Sequence, residues 1–205
     1  MKCHRILTPV LLAMTSLITS LEALAASIGF EPVAASVRQG DTVEVMLVGR
    51  DFSVGTGGTV GGGVSVRWDP SLLTLEAHDT TVFPGDLALA AANTTTVVDN
   101  VTGVLLNLSV ASLFVQAQTA DFDIAKLRFR ALSAGTSDLT SELGYFDSGY
   151  PNIWADRDWV SPVDIEPSFL SAHLEVTPVP LPAALPLLAG SLIAWTLPRT
   201  RRLRA

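Results

Sequence analysis

Alternation of polar and apolar residues, interrupted by turn residues, is the feature that most restricts the fold of this chain. Residues 41–48 alternate with a period of two, as in a strand with one buried face. Between residues 26 and 177 no amphipathic helical stretch of useful length occurs, so we predict an all-β, two-sheet sandwich or jelly roll. The other predicted strands are 63–68, 73–77, 104–110, 124–132 and 172–176, with turns at Gly40-Asp41, Asp69-Pro70, Pro84-Gly85 and Gly135-Thr136.

The N-terminus has the three parts of an export signal. Lys2 and Arg5 precede an apolar run, and Ala23-Leu24-Ala25 fits a small-x-small cleavage site. We therefore predict a cleaved signal peptide over residues 1–25, with a retained membrane anchor as the alternative. Since Cys3 is the one cysteine of the chain, the mature protein would contain neither a disulfide nor a thiol nucleophile.

Charge limits the partners of the central domain. Residues 26–177 hold nineteen Asp and Glu against seven Lys and Arg, which gives a formal charge of −12. Such a surface repels phosphate backbones, so we predict that nucleic acid is not a partner.

The C-terminus combines prolines, a short apolar run and a basic tail. Leu181 to Leu197 is uncharged, and Arg199, Arg201, Arg202 and Arg204 follow it. At ~1.5 Å per residue the run reaches about 25 Å, slightly less than a ~30 Å hydrocarbon core. We predict a short transmembrane helix over residues 182–197 and an Arg-rich tail over 199–204, which would stay in the cytoplasm.

This order of elements resembles the PEP-CTERM sorting signal. The motif itself is read in Val179, Pro180, Leu181 and Pro182, where leucine replaces the glutamate of the family's Val-Pro-Glu-Pro form. The resemblance implies that residues 178–205 are a sorting segment, that an exosortase-type enzyme processes it, and that the protein reaches the outer surface or extracellular matrix of a Gram-negative bacterium after transient anchoring in the inner membrane. An ordinary tail anchor is the alternative.

The central domain resembles a cohesin domain. The resemblance rests on four stretches of the sequence, of which the Trp68-Asp69-Pro70 stretch with its following leucines is the most recognisable. It implies a nine-stranded jelly-roll β-sandwich over residues 26–177, a fold shared with some carbohydrate-binding modules, and attachment to a calcium-loaded dockerin through one sheet face. The stretches are 27–30, 37–43, 64–75 and 124–137.

An apparent insertion, residues 144–162, concentrates aromatic and polar side chains. Rings beside carboxylates suit either a protein interface or the apolar face of a sugar, and they also suit a cap that buries the rings. All three readings stay open at this point. The candidate ligand-binding residues are Tyr145, Tyr150, Trp154, Asp156, Asp158 and Trp159.

Other motifs are weaker. Asp121-x-Asp123 and Asp156-x-Asp158 offer oxygen ligands for calcium but lack the rest of an EF-hand loop. We therefore predict no cofactor and no metal, with calcium as a minor alternative. The glycine-rich residues 55–63 lack the companions of a phosphate loop, and we expect them to form a flexible loop.

Catalysis finds little support in the sequence. His78 and His173 are the two histidines left in the mature domain, and neither a Gly-x-Ser-x-Gly nor a His-Glu-x-x-His motif occurs. We therefore predict a non-enzymatic, exported binding module that attaches to an extracellular protein. Binding to an exopolysaccharide and a passive structural role in the matrix are the alternatives.

Overall fold

Every regular element of the computed structural model, which describes residues 25–52, 58–85, 94–112, 121–156 and 163–180, is a β-strand. This confirms the all-β prediction for the described part of the chain. In chain order the strands are β1 (Ser27–Glu31), β2 (Ala34–Arg38), β3 (Thr42–Arg50), β4 (Gly61–Arg67), β5 (Leu73–Asp79), β6 (Val97–Asp99), β7 (Val104–Ala111), β8 (Phe122–Ala131), β9 (Gly135–Leu143), β10 (Trp154–Ala155), β11 (Asp164–Ile165), β12 (Ser168–Phe169) and β13 (Ala172–Thr177).

The strands form two sheets that pack face to face. The five-stranded sheet has the order β12-β1-β3-β8-β5. The eight-stranded sheet runs β6-β7-β4-β9-β13-β2, and β10 and β11 continue beside β4 where β9 has ended. Most neighbours are antiparallel, but β2 lies parallel to β13 and β1 parallel to β12. The parallel pairing of β2 with β13 joins the two ends of the domain.

The sequence motif Trp68-Asp69-Pro70 closes the connection from β4 to β5. Trp68 is buried, its indole N–H donates to the Leu73 carbonyl over 3.1 Å, and its ring meets Phe129 edge-on at 5.4 Å. The Asp69 N–H donates to the Ser137 hydroxyl over 3.0 Å, which ties the turn to β9. The predicted turn therefore connects the core to both sheets.

The described strands bear on two expectations. The resemblance implied nine strands: nine of the thirteen described strands have five residues or more, and the other four, β6 and β10 to β12, have only two or three. Gly135 and Thr136 were expected in a turn but begin β9. The sequence pattern missed β9 because its inward side carries Ser137 and Ser141 beside Leu139, so the apolar period is broken.

Three turns depend on ionised aspartates. In each turn a hydroxyl group two or three residues later donates to the carboxylate, and backbone N–H groups add to this. The hydroxyl bond is the main reason why each carboxyl pKa lies below its ordinary value of 3.8. The pairs are Asp69–Ser71, Asp79–Thr81 and Asp99–Thr102.

We predict that these turns make the domain less stable in acid. A carboxyl pKa that is lower in the folded than in the unfolded state stabilises the fold above pH 3.8, and this stabilisation is lost as the pH falls through the lowered pKa. Urea unfolding between about pH 5 and pH 2 would measure it. A Ser71→Ala/Thr81→Val/Thr102→Val variant should lose less stability over that range than the parent, and equal losses would contradict the account.

Candidate binding surface

Residues 145–151, which we call the tyrosine hairpin, form a tight turn between β9 and β10. Tyr145 and Pro151 form an antiparallel bridge at its base. Above the bridge, the Phe146 N–H donates to the Tyr150 carbonyl over 2.9 Å. The hairpin is therefore closed by its own backbone hydrogen bonds.

The base of the hairpin is fastened to β4 at Gly63. The Gly144 N–H donates to the Gly63 carbonyl over 3.0 Å, and the Gly63 N–H donates to the Asn152 carbonyl over 2.9 Å. The Asn152 side chain is buried, and its amide donates to the Ser109 hydroxyl of β7 over 3.0 Å. The residues on either side of the hairpin thus lie beside β4, and the Asn152 side chain crosses Gly63 to reach β7.

This contact requires glycine in β4. A Cβ atom added at Gly63 would lie 2.6 Å from the Asn152 amide nitrogen, and one added at Gly62 would lie 2.6 Å from the Trp154 ring. Gly62 was expected in the flexible loop 55–63, and Gly63 stood both at the end of that loop and at the start of the predicted strand 63–68. Both belong to the strand Gly61–Arg67 and are buried, and residues 55–57 of the predicted loop lie outside the described residues. The reason is close approach of neighbouring groups rather than chain flexibility.

Asn107 holds the hairpin from the β7 side. The residue lies in a bulge of β7 with a φ of 57°, a left-handed conformation that asparagine tolerates better than most residues. Its side-chain oxygen accepts the Tyr145 N–H over 3.0 Å, and its carbonyl accepts the Thr96 hydroxyl over 3.2 Å. Sequence reasoning missed this role, because the residue that Asn107 binds lies 38 positions further along the chain.

Asp147 ties the tip of the hairpin to the segment before β6. One carboxylate oxygen accepts the Thr95 N–H over 2.7 Å, and the other accepts the Thr95 hydroxyl over 2.8 Å. Together with the contacts at Gly63 and Asn107, this pair fixes the hairpin on the β4, β7 and β6 side of the eight-stranded sheet.

The fastened hairpin presents two tyrosines to solvent. The exposed fractions of Tyr145 and Tyr150 are 47% and 72%. On the neighbouring strands, Val97 of β6 pairs with Leu106 of β7 and is 44% exposed. Leu105, the residue before Leu106, is buried on the opposite, inner face. The outer face therefore carries exposed aromatic and aliphatic side chains at its β6–β7 border.

Trp154 must be withdrawn from the ligand-binding candidates. Its side chain is fully buried, and its ring lies 5.2 Å from that of Phe52 and 6.1 Å from that of Phe122. The indole N–H donates to the Gly63 carbonyl over 3.3 Å. Trp154 therefore fills one end of the sandwich, as in the reading of the insertion as a cap.

The remaining candidates of the insertion are placed only in part. The Asp156 carboxylate accepts the Val163 N–H over 2.9 Å, which joins the ends of the connection between β10 and β11. Asp158 and Trp159 lie outside the described residues. In the described structure Tyr145 and Tyr150 are both exposed on the hairpin, whereas Trp154 is buried in the core.

The eight-stranded sheet carries exposed charged side chains beyond the hairpin. Glu142 of β9 pairs with Arg67 of β4 over 2.7 Å, and both side chains are about half exposed. The Asp138 carboxylate is 2.5 Å from the ring nitrogen Nδ1 of His173, and Glu175 lies two residues after His173 on β13. Exposed pairs of this kind contribute little to stability.

Asp121, one of the weak calcium candidates, has a structural partner. Its carboxylate pairs with the Arg50 guanidinium over 2.9 Å, and Arg50 also pairs with Glu31. Within the described residues, no three or more His, Cys, Asp or Glu side chains cluster as a metal site would require. Calcium binding stays a prediction.

The two histidines of the domain belong to different sheets. His78 is in β5 of the five-stranded sheet and His173 is in β13 of the other. They therefore do not share a site.

Part of the sorting motif is described. Val179 and Pro180 follow β13 as exposed, non-strand residues, whereas Leu181, Pro182, the predicted helix 182–197 and the arginine tail lie outside the described residues. A search of the described part found no helix of the length and apolarity that a membrane span needs.

Comparison with known proteins identifies the fold. No family model and no curated protein matches the chain. Among solved structures, it is similar to the seventh ScaB type I cohesin of Pseudobacteroides cellulosolvens, with a TM-score of 0.58 and 13% identity over 77% of this chain and 95% of that one. It is also similar to a structure described as a type I cohesin–dockerin complex of Clostridium thermocellum (TM-score 0.55, 13% identity, 75% and 99% covered). A type II cohesin of Acetivibrio cellulolyticus matches with a TM-score of 0.50 and 16% identity over 73% of this chain and 95% of that one. The described domain therefore has the fold of cohesin domains.

We predict that Asn107 is required to hold the tyrosine hairpin. Asn107→Ala should destabilise the domain by about 1–3 kcal/mol, since it loses both the acceptor for Tyr145 and a residue suited to positive φ. Asn107→Gly keeps the backbone conformation and should cost less. In both variants the Tyr145 amide should exchange with deuterium faster than in the parent. Unchanged exchange would show that Asn107 does not fasten the hairpin.

Proposed function

We propose that the protein is an exported, non-enzymatic binding module that attaches to an extracellular protein through the tyrosine hairpin and the adjoining outer face of the eight-stranded sheet. The observation that carries the proposal is the pair of exposed rings, Tyr145 and Tyr150, on a hairpin held at both ends. Tyrosine is enriched at the centres of protein interfaces, and a rigid loop loses little entropy on binding.

The fold likeness supports a protein partner. One of the similar structures is described as a cohesin–dockerin complex, so this fold serves protein attachment in that case. The acidic side chains on the same sheet, Asp138 and Glu142 of β9 and Glu175 of β13, favour a partner surface that carries Lys or Arg. A module with a duplicated, dockerin-like calcium loop from the same organism is the first partner to test.

Polysaccharide binding is the alternative function. It is favoured by the same exposed rings of Tyr145 and Tyr150, which can cover the apolar face of a sugar. A glycan site also needs polar groups beside the rings. The Asp147 carboxylate and the Asn152 amide already bind Thr95 and Ser109, so they offer a sugar less than the sequence indicated.

The two terminal segments are the basis of a proposal about where the module is located. We propose that residues 1–25 direct export and that residues 178–205 are recognised by an exosortase-type enzyme, which leaves the domain on the outer surface or in the matrix. In support, residues 178–180 are exposed and belong to no strand, so a processing enzyme can reach them. A passive structural role in the matrix is the remaining alternative.

We predict that a Tyr145→Ala/Tyr150→Ala variant loses partner binding without loss of fold. Calorimetric titration of residues 26–177 with dockerin-like modules, in calcium and in EDTA, should show binding that the variant weakens about tenfold or more. Its melting temperature should stay close to that of the parent, because both side chains are exposed.

Two controls separate the alternatives. Tyr145→Phe/Tyr150→Phe keeps the rings and should retain most of the affinity if apolar contact dominates. Titration with polysaccharide from a host-like bacterium tests the second function. Binding of polysaccharide alone would replace the first proposal by the alternative, and partner affinity that is unchanged in the alanine variant would move the interface away from the hairpin. Binding of neither ligand by the parent protein would favour the passive role.

A further inference from the structure

The edges of the two sheets are not equally protected. An exposed strand edge carries unpaired N–H and C=O groups that can template another strand, and proteins usually shorten or block such edges. Here β11 and β12 have two residues each and β6 has three. The longer edge strand β5 is blocked, because the Asn100 amide group donates to the Leu75 carbonyl over 3.0 Å and accepts the Leu75 N–H over 2.7 Å.

Strand β2 lacks these protections. Ala34–Arg38 spans five residues without Lys, Pro or a bulge, and within the described part of the chain β13 is the one strand that pairs with it. Its outward side chains are short apart from Arg38. This edge belongs to the opposite border of the eight-stranded sheet from the tyrosine hairpin.

The hydrogen bonds to β13 show which groups of β2 face outwards. The His173 N–H donates to the Val33 carbonyl over 2.9 Å, and the Gln39 N–H donates to the Thr177 carbonyl over 2.9 Å. In a parallel ladder every second residue of a strand bonds to the same neighbour. Odd-numbered residues from 33 to 39 therefore bond to β13, and the backbone groups of Ala34 and Ser36 and the N–H of Arg38 point to the free side. The Arg38 carbonyl accepts the Asp41 N–H over 3.0 Å.

Opposite charges flank this edge on the outer face. Arg38 lies at the end of β2, and Glu175 of β13 lies next to Ser36 in the register. Both are exposed, and neither makes an ion pair with a described residue. Short side chains at Ala34 and Ser36 leave an open depression of about 420 Å³, with Glu175 and His173 on its wall; His173 is itself in contact with the Asp138 carboxylate. The depression could receive a cationic side chain.

We propose that β2 is a self-association edge, on which β2 of a second copy of this chain pairs antiparallel with Ser36 opposite Ser36. This register places Arg38 of each copy opposite Ala34 of the other, above the depression that His173 and Glu175 line. The N–H and C=O groups of Ser36 in the two copies face each other. The approach of Arg38 to Glu175 of the other copy occurs twice, because the pairing has a two-fold axis. The charges and the short side chains of one strand therefore complement a second copy of the same strand.

The test is the oligomeric state of the full chain and of residues 26–177, which hold all thirteen described strands. Sedimentation equilibrium over a series of concentrations should show a monomer–dimer equilibrium. Ser36→Pro should weaken it about tenfold or more, because it removes the N–H at the centre of the edge and leaves the bonds to β13 in place.

Charge reversal separates this edge from other contacts. Arg38→Glu and Glu175→Arg should each weaken the dimer, and the double variant should restore it. The double variant has the same net charge as the parent. Glu175→Arg makes the domain less negative, so general charge repulsion would predict a tighter dimer for this variant, whereas the proposed edge predicts a weaker one. A monomer at all concentrations, or a dimer that none of the three single changes weakens, would overturn the proposal. Heterologous pairing with another protein's strand, without self-association, would also overturn it.

Discussion

The packing of Trp154 and Asn152 against the backbone of Gly62 and Gly63 is the contact on which the binding surface depends. A side chain at either glycine would overlap the tryptophan ring or the asparagine amide. The Trp154 ring completes an aromatic cluster with Phe52 and Phe122 at one end of the sandwich. One short stretch of β4 therefore fixes both the end of the core and the base of the hairpin above it.

The surface follows from this contact in a few steps. With its base held at Gly63, the tyrosine hairpin is oriented by Asn107 and Asp147, which bind it to β7 and to the segment before β6. Both of its tyrosine side chains are exposed to solvent. The polar residues Asp147 and Asn152 support the hairpin, and the exposed tyrosines carry the recognition that we propose.

Strands with strict alternation could be predicted from the sequence, and those whose pattern is broken could not. The inward serines of β9 hide a nine-residue strand that lies at the centre of the eight-stranded sheet. A run of glycines such as that in β4 is typical of a loop. Its role in a strand becomes clear only from Asn152 and Trp154, which pack on it and lie about ninety positions further along the chain. The same separation along the chain explains why Trp154 was wrongly predicted to bind a ligand. Composition located an aromatic segment but could not distinguish a buried ring from exposed ones.

Nuclear Overhauser contacts of the Trp154 indole test this account most directly. We expect contacts from its ring protons to the Gly62 α-protons and to the Phe52 and Phe122 rings, together with slow exchange of the indole N–H, because the side chain is fully buried. Absence of these contacts, with a rapidly exchanging indole, would contradict the account. The hairpin would then lack its base on β4, and the tyrosines would not form a fixed surface.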